Sequence, residues 1–364
     1  ILDRATGRFS HIQSDPKSSR GLASNRVMAL LRDRTDSIWV GTLDKGLNRF
    51  DPSTKSFRSY THDPDNQASL GANGVMSLFE DFRGNLWVGT FGAGLNLYRR
   101  ETDSFIRHPH DPEGLTGPVS ARVTCIAEAT DGAIWAGTDG GGLSRFDPVS
   151  NTWMHFGKDA KDPSGLGADS VFSLHVDASG RLWIGTVGGG LVTLDGLSTT
   201  TGKAKFRRYS GQDGLANDVV YGIESDGDGK LWLSTNRGLS QFDPRTGAFK
   251  NYTKSHGLQG EEFNFGAHFA SPSGALAFGG VNGFNLFFPA RLQRSTQPPP
   301  IVLTNILKLN QPVNLQGPVG LRAPLNLGYR DDMVTFEFAA LDFTAPEENT
   351  YQYMLEGFDA DWVD

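Results

Sequence analysis

The sequence predicts an all-β chain, a β-propeller followed by part of an immunoglobulin-like β-sandwich. Three observations predict it. Tryptophans recur in one context at Trp39, Trp87, Trp135, Trp183 and Trp232, at spacings of 48, 48, 48 and 49 residues, a period that marks a structural repeat. The segments around them, "IWVGT", "LWVGT", "IWAGT", "LWIGT" and "LWLST", are apolar on both alternating faces, as a strand must be when its sheet is covered on both sides. Helical periodicity is absent throughout.

Each unit reads as four short strands. In the second unit these are "NGVMSLFED", the turn "FRGN", then "LWVGT", a glycine-rich loop, "GLNLYRR", a D-x-x-T/S turn and "SFIRH". A lone four-stranded sheet of this kind cannot cover its own faces, so the units must stack around an axis as propeller blades. The small residue after each aromatic pair (Gly41, Gly89, Gly137, Gly185, Ser234) suits close backbone approach, and the large Trp fills the space between neighbouring sheets. A sixth unit, "GALAFGGVNGFNLFFP", carries Ala277 in the Trp place and lacks a fourth strand before Pro289. At the N-terminus "LDRATGRFSHI" matches "FDPRTGAFKNY", the last two strands of a unit. Either Phe9 to Ile12 closes the sixth blade, or a seventh blade has its first two strands outside this sequence. Seven blades in the intact protein is the expectation, with six repeat cores in this chain.

"QPPPIVLTN" is a stiff proline-rich joint, which places the boundary between residues 1–297 and 298–364. Beyond it "MVTFEFAALDF" and "YQYMLEGF" alternate as half-buried strands. A sandwich of immunoglobulin type needs about 100 residues, against the 67 from Pro298 to Asp364, so part of such a domain is expected here.

The "L-W-V/I-G-T-x-x-G-G-L-x-x-F-D-P" units resemble two-component regulator propeller repeats. "VTFEFAALDFTAPEENTYQYMLEGFDADW" resembles the start of the three-tyrosine domain that follows such propellers, and "GLQGEEFNFGAHF" with "LAFGGVNGFNLFFP" resembles their usual last blade. The resemblance implies the extracytoplasmic, usually periplasmic, sensor region of a membrane-anchored signalling protein. Its output would be a histidine kinase, often hybrid, or a diguanylate cyclase. It also implies a homodimeric receptor. No output domain, membrane helix or first propeller is present in this sequence.

Composition excludes several classes. A formal net charge of −7 and a pI near 5.6 argue against nucleic acid, whose phosphates need a basic surface. The single cysteine, Cys125, reads as a small buried hydrophobe and forbids an internal disulfide. No apolar run reaches the roughly 18 residues of a membrane span, and no signal-peptide pattern opens the chain, so targeting and anchoring are expected of segments outside it.

Candidate site residues come from a constant frame with variable tips. The loop after each "GT" reads "LDKG", "FGAG", "DGGG", "VGGG", "NRG" and "VNG". In a propeller these loops gather near the axis together with the loops that lead into each first strand. Asp44, Lys45, Phe91, Asp139, Asn236, Arg237 and Asn282 lie at the tips. Asn25, Arg26, Asn73, Arg122 and Asn217 lie on the lead-in loops, and Glu261, Glu262, Asn264 and His268 come from the atypical last unit. Amides, carboxylates and guanidinium groups beside aromatics suit a small molecule or an oligosaccharide, because binding sites pair apolar walls with a few placed polar groups. The plain alternative for each is a solvated turn residue.

Other motifs read as turn chemistry. Asp226 and Asp228 in "SDGDGKLW" are spaced like the start of a calcium loop but lack its later acidic ligands. His108 and His110 in "HPHDPEG" have no paired metal-ligand pattern, and the Asp-Pro steps are turns. No nucleophile elbow, zinc helix or phosphate loop is present, so neither catalytic residues nor a metal or cofactor are expected. Two other functions stay open. A propeller enzyme, a lyase or dehydrogenase, would need a converging acid/base pair or a metal on the axial face. A protein-interaction scaffold would show a flat apolar face instead.

Overall fold

A computed structural model describes residues 2–3, 6–14, 20–159, 161–162, 164–292, 300–313, 328, 333–341 and 350–363. The chain divides into two units, residues 1–254 with 258–291, and residues 255–257 with 292–364. The proline joint around Pro298 lies outside the described residues.

The first unit is a propeller of antiparallel blades. Blade 1 comprises Val27–Arg32, Ile38–Thr42, Leu47–Asp51 and Ser56–Tyr60. Blade 2 comprises Val75–Glu80, Leu86–Thr90, Leu95–Arg99 and Ser104–His108. Blade 3 follows with Val123–Glu128, Ile134–Thr138, Leu143–Asp147 and Thr152–Phe156. Blade 4 has Val171–Val176, Leu182–Thr186, Leu191–Ser198 and Lys203–Tyr209. Blade 5 has Val220–Ser225, Leu231–Thr235, Gly238–Asp243 and Ala248–Tyr252. Blade 6 shows three strands among the described residues, Phe263–Ala270, Leu276–Gly280 and Gly283–Phe287. At the N-terminus Leu2 pairs with Phe9 across a D-x-x-T-G turn, in which Gly7 N–H donates to the Asp3 carbonyl at 2.8 Å, as Gly247 N–H does to Asp243.

The core lies between blades. All five repeat tryptophans are at most 2 % exposed, and Trp39 packs on Leu70, Val75, Leu86 and Tyr98 of the second repeat. A buried indole N–H needs an acceptor. In four blades it is the aspartate that opens the turn six residues earlier: Trp39 to Asp33, Trp87 to Asp81, Trp183 to Asp177 and Trp232 to Asp226, at 2.8–2.9 Å. Blade 3 has Ala129 at this position. The small residue that recurs two positions after each Trp has a specific task. A Cβ on Gly41 would lie 2.6 Å from a methyl of Val75, and one on Gly137 would lie 2.6 Å from Val171. The glycine is therefore a niche for the next blade's valine rather than a site of backbone crowding at the axis.

Several sequence expectations find their place here. Asp226 is a turn aspartate, accepting from the N–H groups of Asp228 and Lys230 as well as from Trp232. His108 is a strand end, its ring within 6 Å of those of Trp87, Phe146 and Trp153, and burial lowers its pKa. Cys125 is partly buried with Sγ against the Val171 carbonyl, and burial pushes its thiol up to about 12.

Among its described residues the second unit holds an antiparallel sheet of Ile301–Lys308, Gln311–Pro312 and Val334–Ala340, with Ile301–Lys308 in the centre. The strand expected over "YQYMLEGF" is not formed as such. Tyr353 makes a single bridge to Val363, and the chain then turns at Gly357, with φ +87°, where Asp359 accepts the Leu355 N–H. Tyr351 is nevertheless part of the sheet edge: its hydroxyl accepts from Ala340 N–H at 3.2 Å and its ring meets Phe338.

Candidate functional site

The tip loops and lead-in loops form one face, and their backbones are tied together. Each tip is bonded to its own lead-in loop: Leu43 N–H to Arg26, Phe91 to Gly74, Asp139 to Arg122 and Val187 to Ser170, at 2.7–3.0 Å. Each also reaches the next blade. Gly92 and Gly94 both donate to the Ala121 carbonyl, Gly140 and Gly142 to Asp169, and Gly188 and Gly190 to Asp218, while Gly46 donates to Asn73 and Gly238 to Glu261. These glycines recur for this reason: Gly94 has φ +73°, and a Cβ there would lie 2.7 Å from the His108 carbonyl. Main-chain bonds hold the tips, so their side chains are free for other work.

The candidate residues fall into two groups. In blades 1 and 3 they satisfy one another. Arg26 lies 3.9 Å from Asp44, both well exposed. Arg122 Nε is 3.1 Å from Asp139 and its guanidinium lies over the Phe91 ring, 5.8 Å from the centroid, while the other Asp139 oxygen accepts from Ser170 Oγ at 2.7 Å. Lys45 is exposed, with its backbone N–H on Thr42 Oγ1. Around blades 5 and 6 the side chains of Asn236, Arg237, Glu261, Glu262, Asn264 and Asn282 are exposed, and no hydrogen-bond or ion-pair partner for them is found among the described residues. Several lead-in asparagines serve the fold: Asn25 and Asn73 accept from the N–H groups of Ser14 and His62, and Asn217 accepts from Val219.

His268 sits elsewhere than the tips. It pairs with Phe278 in mid-strand, its ring fills the space a Cβ on Gly222 would take, and its Nδ1 lies 2.8 Å from Glu224 Oε1. His175 Nε2, buried and without a partner among the described residues, is a nearby imidazole whose pKa burial lowers.

The structure adds a feature the sequence reading missed. Each first strand of blades 1 to 5 bulges after its first residue, and a bulge re-aims the extra side chain. In blades 4 and 5 those residues are Phe172 and Tyr221, whose rings stack with centroids 6.0 Å apart. Phe172 also meets Phe265 of blade 6 at 5.0 Å. Blades 4 and 6 are not neighbours, so their rings can meet only at the axis. Half-buried aromatic groups thus lie at the centre of the sector whose polar side chains are unpaired. The signal was legible as the aromatic second letter of "VFSLHV" and "VYGIES" and the doubled phenylalanine of "FNF". Among the described residues no group of three or more His, Cys, Asp or Glu could hold a metal ion, and no helix is long and apolar enough to cross a membrane.

Comparison with known proteins agrees with this architecture. The family model of the two component regulator propeller matches residues 21–44, 69–92, 165–188 and 214–237, each spanning a lead-in loop, two strands and a tip, so the chain carries these repeats. A search of curated proteins finds no match. Similar solved structures include the extracellular domain of a Bacteroides thetaiotaomicron protein named as a hybrid two-component system, at 22 % identity and TM-score 0.61, covering 97 % of this chain and 51 % of that one. A second extracellular domain from the same bacterium, named as part of a one-component system, is 20 % identical with TM-score 0.59, covering 96 % and 46 %. PorZ, a surface component of the type-IX secretion system of Porphyromonas gingivalis, is 16 % identical with TM-score 0.55, covering 72 % and 38 %. At these identities the likeness is one of fold. The chain spans about half the length of the first two.

Proposed function

For a chain built of two-component regulator propeller repeats, we propose the role of extracytoplasmic, periplasmic ligand-recognition region of a membrane-anchored signalling protein. The ligand is a small molecule or an oligosaccharide. It binds the loop face over the sector of blades 4 to 6, and the following β unit passes the change on within a homodimeric receptor to a kinase or cyclase output. One observation carries the reading: the axial aromatic group of Phe172, Tyr221 and Phe265 belongs to the sector whose exposed polar side chains have no partner among the described residues. Aromatic faces with unpaired amide, carboxylate and guanidinium groups are the materials of a recognition site. Signalling then requires that the ligand favour one receptor arrangement over another.

The test is a thermal-shift screen of the chain against oligosaccharides and small metabolites. A ligand at about 100 times its Kd stabilises the folded state by about 2.7 kcal/mol. The shift should vanish in Tyr221→Ala and in Arg237→Ala, and persist in Arg26→Ala. Loss in Arg26→Ala with retention in Tyr221→Ala would move the site to blade 1 and refute the sector.

A specific observation favours a second reading, acid/base chemistry, because the Glu224 carboxylate orients the His268 imidazole at 2.8 Å as a general base is commonly oriented. Turnover of any bound ligand, abolished in His268→Ala, would establish it.

A further inference from the structure

Blade 3 departs from a rule that the other tryptophan-bearing blades keep. In those blades the turn before the tryptophan opens on an aspartate that binds three donors at once. One carboxylate oxygen accepts the backbone N–H groups two and four residues on, and the other accepts the indole N–H. In blade 2 these donors are Arg83, Asn85 and Trp87, at 2.8–3.0 Å from Asp81. Asp33, Asp177 and Asp226 repeat the arrangement oxygen for oxygen. Blade 6 needs no such acceptor, because Ala277 stands in the place of the tryptophan, and there Ser271 Oγ takes the Ala275 N–H. Blade 3 keeps its tryptophan and has Ala129 where the aspartate would be.

The donors nevertheless stay in place. The blade 3 turn closes with the same two main-chain bonds, Gly132 N–H to the Ala129 carbonyl and Ala129 N–H to that of Ala133, both 2.9 Å, as Gly84 bonds to Asp81 and Asp81 to Asn85 in blade 2. Asp131, two residues along, reaches back and takes one of the three donors. Its Oδ1 accepts from Ala133 N–H at 3.1 Å, while its Oδ2 accepts from Arg145 Nη2 at 2.6 Å. The Asp131 N–H and the Trp135 indole N–H are left without a partner among the described residues, although Trp135 is only 2 % exposed. The Arg145 guanidinium lies over the same indole, 5.9 Å from the ring centroid, on a buried side chain. Thr130 and Asp131 are exposed, so the turn opens to solvent at the strand ends away from the tips.

We propose that this turn is a binding site for a small monocarboxylate of the size of formate or acetate. Aspartate differs from alanine by one carboxylate group, and a free carboxylate brings the same planar pair of oxygens, one for the Asp131 N–H and the other for the indole. Hydrogen bonds to an ionised acceptor are roughly twice as strong as neutral ones, and a buried indole N–H without an acceptor is costly, so the bound carboxylate favours the folded state. Arg145 supplies positive charge beside the ring, where burial leaves it less screened than a surface cation. A tetrahedral divalent anion does not reproduce the planar pairing. The site lies at the opposite end of the strands from the loop face and does not depend on the function proposed for that face.

The experiment follows the tryptophan indole N–H resonances of the isotope-labelled chain by NMR, with that of Trp135 assigned by its loss in Trp135→Phe. Sodium formate or acetate, exchanged for sodium chloride at constant ionic strength and neutral pH, should shift the Trp135 resonance saturably and leave those of Trp39, Trp87, Trp183 and Trp232 in place. Half-saturation is expected at roughly 1–10 mM, with a rise in Tm of about 3 °C at ten times that concentration. Sulfate should produce neither effect. Ala129→Asp should bring the Trp135 resonance close to its formate-saturated position and abolish the response to both carboxylates. A Trp135 resonance that formate and acetate leave unmoved up to about 100 mM overturns the proposal and assigns the indole to water. A response that persists in Ala129→Asp overturns it as well, because the carboxylate then binds elsewhere.

Discussion

Replacing Asp226 by alanine tests the link between turn and core. The Asp226 carboxylate accepts from Trp232 Nε1 at 2.9 Å, Asp228 N–H at 3.0 Å and Lys230 N–H at 2.9 Å. Trp232 is 1 % exposed, so water does not readily replace its lost acceptor, and an unsatisfied buried donor costs about 1–3 kcal/mol. The two turn N–H groups face solvent and lose only about 0.5 kcal/mol each. The expected loss is about 2–4 kcal/mol, or a fall in Tm of roughly 4–8 °C at about 2 °C per kcal/mol for a domain of this size. Asp226→Asn, whose amide oxygen still accepts from the indole, should lose about half as much. Asp228→Ala, which removes no acceptor from the core, should stay within about 0.5 kcal/mol. Scanning calorimetry with Trp fluorescence reads all three variants. If Asp226→Ala melts no lower than Asp228→Ala, the indole bond is not what fastens the blade.

Further outcomes follow from the same contacts. Burial holds His108, His155 and His175 below the ordinary value of 6.5. The unfolded chain therefore binds more protons, and stability is full above pH 6.5 and declines as pH falls from there toward the folded pKa values. Each histidine contributes a slope of at most about 1.4 kcal/mol per pH unit, and His108→Phe should flatten the urea-midpoint profile between pH 6.5 and 5. Arg100 bridges Asp33 at 2.9 Å and Glu80 at 3.0 Å between blades 1 and 2. Arg100→Met should cost about 3 kcal/mol by leaving the buried Asp33 charge without its cation, and Asp33→Asn should recover part of it. Gly94→Ala forces a side chain onto φ +73° and the His108 carbonyl. Hydrogen exchange should then quicken at the blade 2 tip and leave blade 5 unchanged.

The repeat made most of the fold legible. Trp39, Trp87, Trp135, Trp183 and Trp232 set the period, and the D-x-x-T-G pattern marks "LDRATGRFSHI" as like the end of a unit, in keeping with the Leu2–Phe9 pairing. The fourth strand expected to be lacking from blade 6 would fall largely on residues 293–299, which lie outside the described residues. What the letters did not reveal depends on contacts between blades. Gly41 and Gly137 read as places of backbone crowding, whereas they are niches for Val75 and Val171, residues more than thirty positions away. Tip residues were chosen as polar letters in variable loops, but whether Asp139 is free depends on Arg122 and Ser170, and whether Arg237 is free depends on the absence of such neighbours. Phe172 and Tyr221 were passed over because a strand's second residue normally faces a neighbouring sheet, and only the bulge sends it to the axis. "YQYMLEGF" alternates like a strand, yet Gly357 and Asp359 turn it.

The glycine N–H groups that fasten each tip to the next blade are main-chain donors, and this has an evolutionary consequence. A mutation at position 43–45, 91, 139, 187, 236–237 or 281–282 changes what the rim presents while leaving the bonds that hold the rim in place. What folds this propeller and what its rim presents are thus written in different letters of the same loop. A lineage of such propellers could vary its rims by drifting at a few codons per blade, and could lengthen or recombine its rim by duplicating whole blades, without renegotiating the scaffold each time.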